Sequence, residues 1–459
     1  MQLRQYVPYY KRILTLASPV VLAQAGQLTT QFADTAMVGN YGGEDAVPLA
    51  AVSLGSSLFL LIYLAAMGLA MSITPLVGES YARNDRRMVG HLFQNGILYS
   101  LGIGVIGSAL ALLLRPFIGV LGRWMSSSGD DVTAVAEMAL PYYDMLVWSI
   151  MPLMVFLAVK QFLEGLGNTK VAMWTTIAGN VFNILLNWIF IFGKFGVEAM
   201  GAEGAGLATL LSRIMQMVII VAYFFLSRRL RIYRSFFSRD AISWSLQCRC
   251  ISIGFPISFQ MVLESAAFIL TSILALSFGA AASGAMQVVF SIANIAWMIT
   301  VAIGSASTII VSHIYGAHER HELRPTVTAT FHLGLMWALF MATLFVVSRT
   351  LLVNIFTDNV EVISLSANLL LLIAIYQLSD SIQCLSISVL RGLQDVKIIM
   401  PIVIFSYLIL NIPIGALLAF SFDMGCYGLT IGLIIGLTSA ALFTLIRVRR
   451  NMRLFERGC

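Results

Sequence analysis

A chain of 459 residues that is 59% apolar and 11% charged, with a mean hydropathy of +0.88, has less than half the roughly 25% charge of a soluble domain. That balance excludes a soluble globular fold and indicates a polytopic membrane protein. The net charge of +6 calls for no nucleic-acid partner, because the positions of the basic residues account for it.

Runs of about 20 residues, the length a helix needs to cross a bilayer, recur nearly free of charge at roughly 13–38, 47–78, 89–114, 133–163, 171–193, 202–226, 251–278, 283–312, 327–348, 362–390, 398–422 and 425–446. The expected fold class is all-α with twelve transmembrane helices, since an open sheet leaves its backbone unsatisfied in lipid. With a cytoplasmic N-terminus, inside segments hold 22 Lys and Arg residues, while the outside loops hold 4, namely Arg115, Arg123, Lys194 and Arg349. Both termini are therefore expected in the cytoplasm. The first apolar run is too long for a cleaved signal peptide and lacks a small-residue cleavage site. Cys459 is the last residue, whereas prenylation needs a cysteine fourth from the end. The five cysteines lie mostly in cytoplasmic or membrane positions, which argues against disulfides. Cys248 and Cys250 lack a second ligand pair, so no metal site is expected there.

In the first helix, Gln24, Gln27, Gln31 and Asp34 are 3, 4 and 3 residues apart and share one face. A carboxylate at the bilayer centre costs about 2.5–3.5 kcal/mol on insertion scales, so Asp34 should face a protein interior or a wet cavity. Asp144 and Lys160, nearer the ends of helix 4, are expected at the interface. Helix 5 carries Asn180, Asn183 and Asn187 at the same helical spacing.

Near residue 250 the chain starts over. Pro19 and Pro256 are each followed 23 residues later by a glycine, Gly42 and Gly279. Leu163-Glu-Gly-Leu answers Leu390-Arg-Gly-Leu, with Lys170 and Lys397 at equal distance beyond. Offsets of 227 to 237 residues make this a duplication of six helices. The expected organisation is an N-lobe over 1–226, a basic cytoplasmic linker over 227–250 suited to anionic lipid, a C-lobe over 251–446 and a basic tail over 447–459. Six spans per repeat give both lobes one orientation, hence two parallel-repeat lobes around a central cleft. Prolines inside spans, including Pro19, Pro75, Pro152, Pro256 and Pro413, allow the helices to bend.

In the second repeat, helix 7 carries Gln260 and Glu264, helix 8 carries Gln287 and Trp297, and helix 10 carries Tyr376, Gln377, Asp380 and Gln383. Carboxylate and amide oxygens suit an alkali cation, and the same carboxylates can carry a proton. One cluster per lobe is expected: Asp34 with Asn183, Asn187 and Thr209, and Glu264 with Asp380 and Gln287. Gln27, Gln31, Gln287 and Trp297 are candidates to line a substrate cavity, Trp297 through cation–π contact. His313, His318 and His321 are expected on a cytoplasmic loop.

The combination of Phe32-Ala-Asp34-Thr-Ala-Met-Val-Gly39, Gly165-x-Gly-Asn-Thr-Lys170, Asn183-x3-Asn187-Trp-Ile-Phe, Glu264 and Tyr376-Gln-x2-Asp380 resembles the multidrug and toxic compound extrusion (MATE) transporters of the NorM-like branch. The resemblance covers essentially all twelve spans. It implies an antiporter of the bacterial inner membrane, monomeric and without cofactor, that exports small organic cations in exchange for Na+ or H+ by alternating access. It places cation-linked acids at Asp34, Glu264 and Asp380, and cation ligands at Asn183 and Asn187. Where related branches have an acid in helix 5, this sequence has Asn187. The alternative is a lipid-linked oligosaccharide flippase of a related fold, which should line its cavity with cations; here Arg213 and Lys160 are the main intramembrane basic residues. No Ser-His or His-Glu-x2-His arrangement within a span points to an enzyme.

Overall fold

The structure is a computed structural model that describes residues 3–42, 47–120 and 131–457; Arg123 and Cys459 lie outside the described residues. Among these residues there is no strand. Twelve helices are long and apolar enough to cross a membrane: Arg4–Tyr41, Val47–Ala82, Arg86–Leu114, Ala134–Gly165, Thr169–Phe192, Gly201–Leu226, Trp244–Leu276, Ala280–Ala317, Arg320–Val347, Val360–Gly392, Ile399–Ser421 and Gly425–Arg457. They are numbered here as spans one to twelve.

Several spans exceed the roughly 20 residues that a bilayer requires, and this corrects the expected loop placement of His313 and His321, while His318 stays in the turn. Span eight runs for 38 residues, so His313 lies inside the helix, with its ring 5.5 Å from that of Tyr81. His318 is the left-handed C-cap at φ 56°, and His321 already belongs to span nine.

Proline chemistry accounts for the breaks. Pro75 and Pro152 cannot donate to the carbonyls of Met71 and Trp148, and the helix is interrupted at Met71–Ser72 and at Ser149. Pro413 likewise deprives Ile409 of its donor. Here the result is a widened span eleven, π-helical over Ile404–Asn411 and again over Leu417–Ser421.

The chain forms two compact units. The N unit comprises Leu22–Ser80 and Asn84–Ser258; the C unit comprises Met1–Val21, Tyr81–Arg83 and Phe259–Cys459. In each repeat the division falls two residues beyond the matched proline, after Val21 and after Ser258. Within the N unit, the start of span seven is seated on span two. Gly68 meets the backbone of Ser258 so closely that a Cβ would collide with it, and Ser258 Oγ donates to Ala65 O at 2.9 Å.

Within the C unit, Gly428, Gly432 and Gly436 recur every four residues and so form one stripe on span twelve. A Cβ at any of the three would strike the backbone of span eleven. This is close packing of the small-xxx-small kind, which replaces the hydrophobic driving force that lipid removes.

The loop between spans ten and eleven is fixed to span twelve by Asp395. It accepts from Arg447 Nε at 2.6 Å, from Arg447 Nη2 at 3.1 Å and from Asn451 Nδ2 at 2.5 Å. Burial alone would raise the Asp395 carboxyl, but these hydrogen bonds and the Arg447 and Arg450 charges outweigh it and hold it below the usual carboxylate range. A depressed carboxylate stabilises the fold above its unfolded pKa, and the contribution is lost as pH falls through the folded value. Melting temperatures of wild type and Asp395→Asn should therefore differ at pH 7 and converge below pH ~4; an unchanged gap would contradict this account.

Candidate functional site

Two polar clusters form, one inside each unit. In the N unit, Gly26 lets span one approach span five, since a Cβ there would lie 2.9 Å from Asn180 Nδ2. About two turns further along both helices, Asn187 Nδ2 donates to Asp34 Oδ1 and also lies 3.2 Å from Asn183 Oδ1. Both hydrogens of the Asn187 amide are thus committed. Its carbonyl Oδ1 is buried without a partner, an orphaned acceptor beside the Asp34 carboxylate and the Asn183 amide. Such a set suits a hard cation. Thr209 stays outside, donating to Ala205 O of its own helix at 3.0 Å.

In the C unit, Glu264 accepts from Gln260 Nε2 at 2.6 Å and from Tyr407 Oη at 3.1 Å. Tyr407 Oη also lies 3.1 Å from Gln383 Oε1, and its single proton can fully serve only one of these acceptors. Arg391 Nη2 donates to Gln260 Oε1 at 2.7 Å and so orients the amide that holds Glu264. Asp380 is 3% exposed, and its Oδ2 has no hydrogen-bond partner. One turn earlier on the same face, Gln377 is fully buried with both amide atoms unpartnered. Glu264 and Asp380 lie within Coulombic range of one another, and the Tyr376 phenol lies within range of both. Burying an unpaired charge is expensive, so this arrangement is complete only when a proton or a cation joins it.

Among the described residues, no hydrogen bond joins the remaining candidates to these clusters. Gln27 is half-buried; Gln31, Gln287 and Trp297 are exposed. Asp144 pairs with Arg115, whose Nε and Nη2 donate at 2.8 and 3.0 Å. Lys160 lies 3.9 Å from Glu164. Gln260 stood beside Glu264 in the sequence without an assigned role, and Tyr407 had no place among the sequence candidates. Tyr407 had no signal in span eleven, since a lone tyrosine in an apolar helix reads as packing.

The comparisons with known proteins agree with this architecture. The profile of the MatE family matches residues 19–189 and 256–417, one stretch in each repeat. Multidrug resistance protein NorM of Vibrio parahaemolyticus is 31% identical over 453 residues, covering 97% of this chain and 96% of that protein. Multidrug resistance protein MdtK of Edwardsiella ictaluri is 30% identical over 451 residues with the same coverage. Among solved structures, an outward-facing multidrug resistance MATE family transporter of the MOP superfamily superposes with a TM-score of 0.86 at 21% identity, over 98% of this chain and 97% of that one. A eukaryotic MATE transporter gives 0.86 at 18% identity over 99% of each chain.

Proposed function

The chain belongs to the MatE family of multidrug transporters, and from that premise we propose that it exports small organic cations in exchange for Na+ or H+. It is a transporter, not an enzyme. The observation that carries the exchange reading is the C-unit cluster. With Glu264, Asp380 and Arg391 all ionised, two negative charges meet one positive, and one negative charge remains. One monovalent cation neutralises it, which supports a single coupling ion held by Glu264 and Asp380, with Tyr376 and Gln377 beside them. In the N unit, Asp34 takes its hydrogen bond from Asn187, and among the described residues no basic side chain lies within ion-pair distance of it. That leaves Asp34, Asn183 and Asn187 as a second cation-linked site, where the charged end of a substrate can land.

Exchange follows if the ion and the substrate each favour a different conformation, so that entry of one drives release of the other. Exchange of one monovalent cation for another draws only on the ion gradient. Any net charge moved adds about 2.3 kcal/mol per 100 mV of membrane potential. The excess of Lys and Arg in alternate loops supports both termini facing the cytoplasm of a bacterial inner membrane. The multidrug resistance names of the relatives favour drug export over the flippase reading.

The test is efflux of a fluorescent organic cation from proteoliposomes of the purified chain, with a Na+ gradient and a pH gradient imposed separately. One gradient should drive uphill movement and the other should not. Failure of both gradients to drive any uphill movement would sink the antiport reading.

A further inference from the structure

Tyr407 sits in the π-helical stretch Ile404–Asn411 of span eleven, where the N–H of Ile412 reaches back to Tyr407 O. Such widened turns are rare and gather at functional sites. The Tyr407 side chain is fully buried. Its main chain is held by span twelve: Ser439 Oγ donates to Ser406 Oγ at 2.8 Å, and a Cβ on Gly436 would lie 2.7 Å from Ser406 O. Close packing thus fixes the ring and leaves the hydroxyl hydrogen as the part that turns.

Two acceptors compete for that hydrogen. Glu264 Oε1 on span seven and Gln383 Oε1 on span ten each lie 3.1 Å from Tyr407 Oη. The other Glu264 oxygen has its own donor, Gln260 Nε2. Equal distances leave charge to decide. A hydrogen bond to an ionised carboxylate is roughly twice as strong as one between neutral groups, so the hydroxyl points at Glu264 while that acid is ionised and unoccupied. A cation on Oε1 repels the hydrogen, and a protonated Oε1 is itself a donor; in either case the amide oxygen of Gln383 becomes the better acceptor. The other titratable groups within Coulombic range of Glu264 are Tyr376, Asp380, Cys384 and Arg391, all on span ten.

We propose that Tyr407 is a positioning residue of the coupling site: its hydroxyl ties span eleven to span seven through Glu264 when the site is empty, and to span ten through Gln383 when the ion is bound. This rests on the exchange reading above and deepens it, because ion occupancy then changes which helices of the C unit are tied together. The hydrogen bond to Glu264 stabilises the empty site and the one to Gln383 stabilises the filled site. Removing Tyr407 or Gln383 therefore shifts ion affinity in opposite directions.

The experiment is infrared difference spectroscopy of the full-length chain in lipid, titrated with Na+ at fixed pH and separately with acid. Carboxylate bands report occupancy, and ring-labelled tyrosine reports the acceptor of the hydroxyl through the phenol C–O band. In wild type a tyrosine band should shift along the same titration curve as the carboxylates. Tyr407→Phe, which keeps the ring, should bind the ion about three- to tenfold more tightly, the size of one net hydrogen bond, and lose the shifting band. Gln383→Met should bind it about three- to tenfold more weakly and show no shift, although Tyr407 is present. Weaker binding in both variants, or no change in either, makes Tyr407 a packing residue or a plain ligand and overturns the proposal while the exchange reading stands. A tyrosine band that stays fixed in wild type overturns it equally, with no variant needed. If neither Na+ nor acid alters the carboxylate bands of wild type, the proposal falls together with the exchange reading.

Discussion

Glu264→Gln and Asp380→Asn are each expected to abolish ion-driven efflux while leaving the protein folded. The acids stand in one network, Arg391 to Gln260 to Glu264 to Tyr407 to Gln383, with Asp380 alongside and its Oδ2 unpartnered. An amide keeps the shape and most of the hydrogen bonding but removes the negative charge that calls for a cation. With either acid neutral, the remaining carboxylate is balanced by Arg391, and the net attraction for a monovalent ion disappears. Coupling in such systems is typically about 1–3 kcal/mol, a roughly 5- to 150-fold dependence of one ligand's affinity on the other. In both variants that dependence should collapse to about unity.

The measurement is the substrate Kd with and without the driving ion, together with efflux from proteoliposomes. Asp34→Asn should behave differently: weaker substrate binding with ion dependence retained, because Glu264 and Asp380 in the C unit are left intact. Full ion-driven exchange by all three variants would show that these carboxylates are not the coupling groups.

Gly432→Val is expected to be the most damaging single substitution outside the clusters. A Cβ at this position would meet Gly415 Cα, Gly415 N at 2.6 Å and Asn411 O at 2.8 Å. All three are backbone atoms that cannot rotate away, so spans eleven and twelve must separate. Overpacking commonly costs about 1–3 kcal/mol and occasionally more, and a β-branched residue against main chain belongs at the upper end. The same separation shifts the Ile404–Asn411 segment that carries Tyr407, so the Glu264 hydrogen bond should fail with the packing. Gly432→Ala should show a smaller loss of the same kind. Thermal unfolding of the purified variants, followed by size-exclusion chromatography, checks the order wild type, Ala, Val; a Val variant as stable as wild type would refute the close-packing account.

Much of this was legible in the residues. The twelve spans follow from charge-poor runs, because lipid tolerates little else. The duplication follows from matched landmarks such as Pro19 with Pro256. Asp34, Glu264 and Asp380 stood out because a lone acid in an apolar helix is too costly to be incidental. Asn187 was proposed with Asp34 as the polar cluster of the first repeat, and Asn187 Nδ2 donates to Asp34 Oδ1.

Other features were hidden for a common reason. Periodicity tells which residues of one helix share a face, but not which helix that face meets. Tyr407 reaches Glu264 across 143 positions of sequence, and it does so from a helix widened ahead of Pro413, which no local pattern announces. Arg213 was visible as a rare intramembrane cation, but its contacts with Phe59, Tyr63 and Ser149 come from spans two, four and six together. The sequence by itself determined which segments enter the membrane and which groups are too expensive to be there without purpose, since both depend on transfer from water to lipid. Only the tertiary structure decided which of those groups are satisfied by neighbours and which are left open, because hydrogen bonding depends on angstrom-scale distances between helices far apart in the chain.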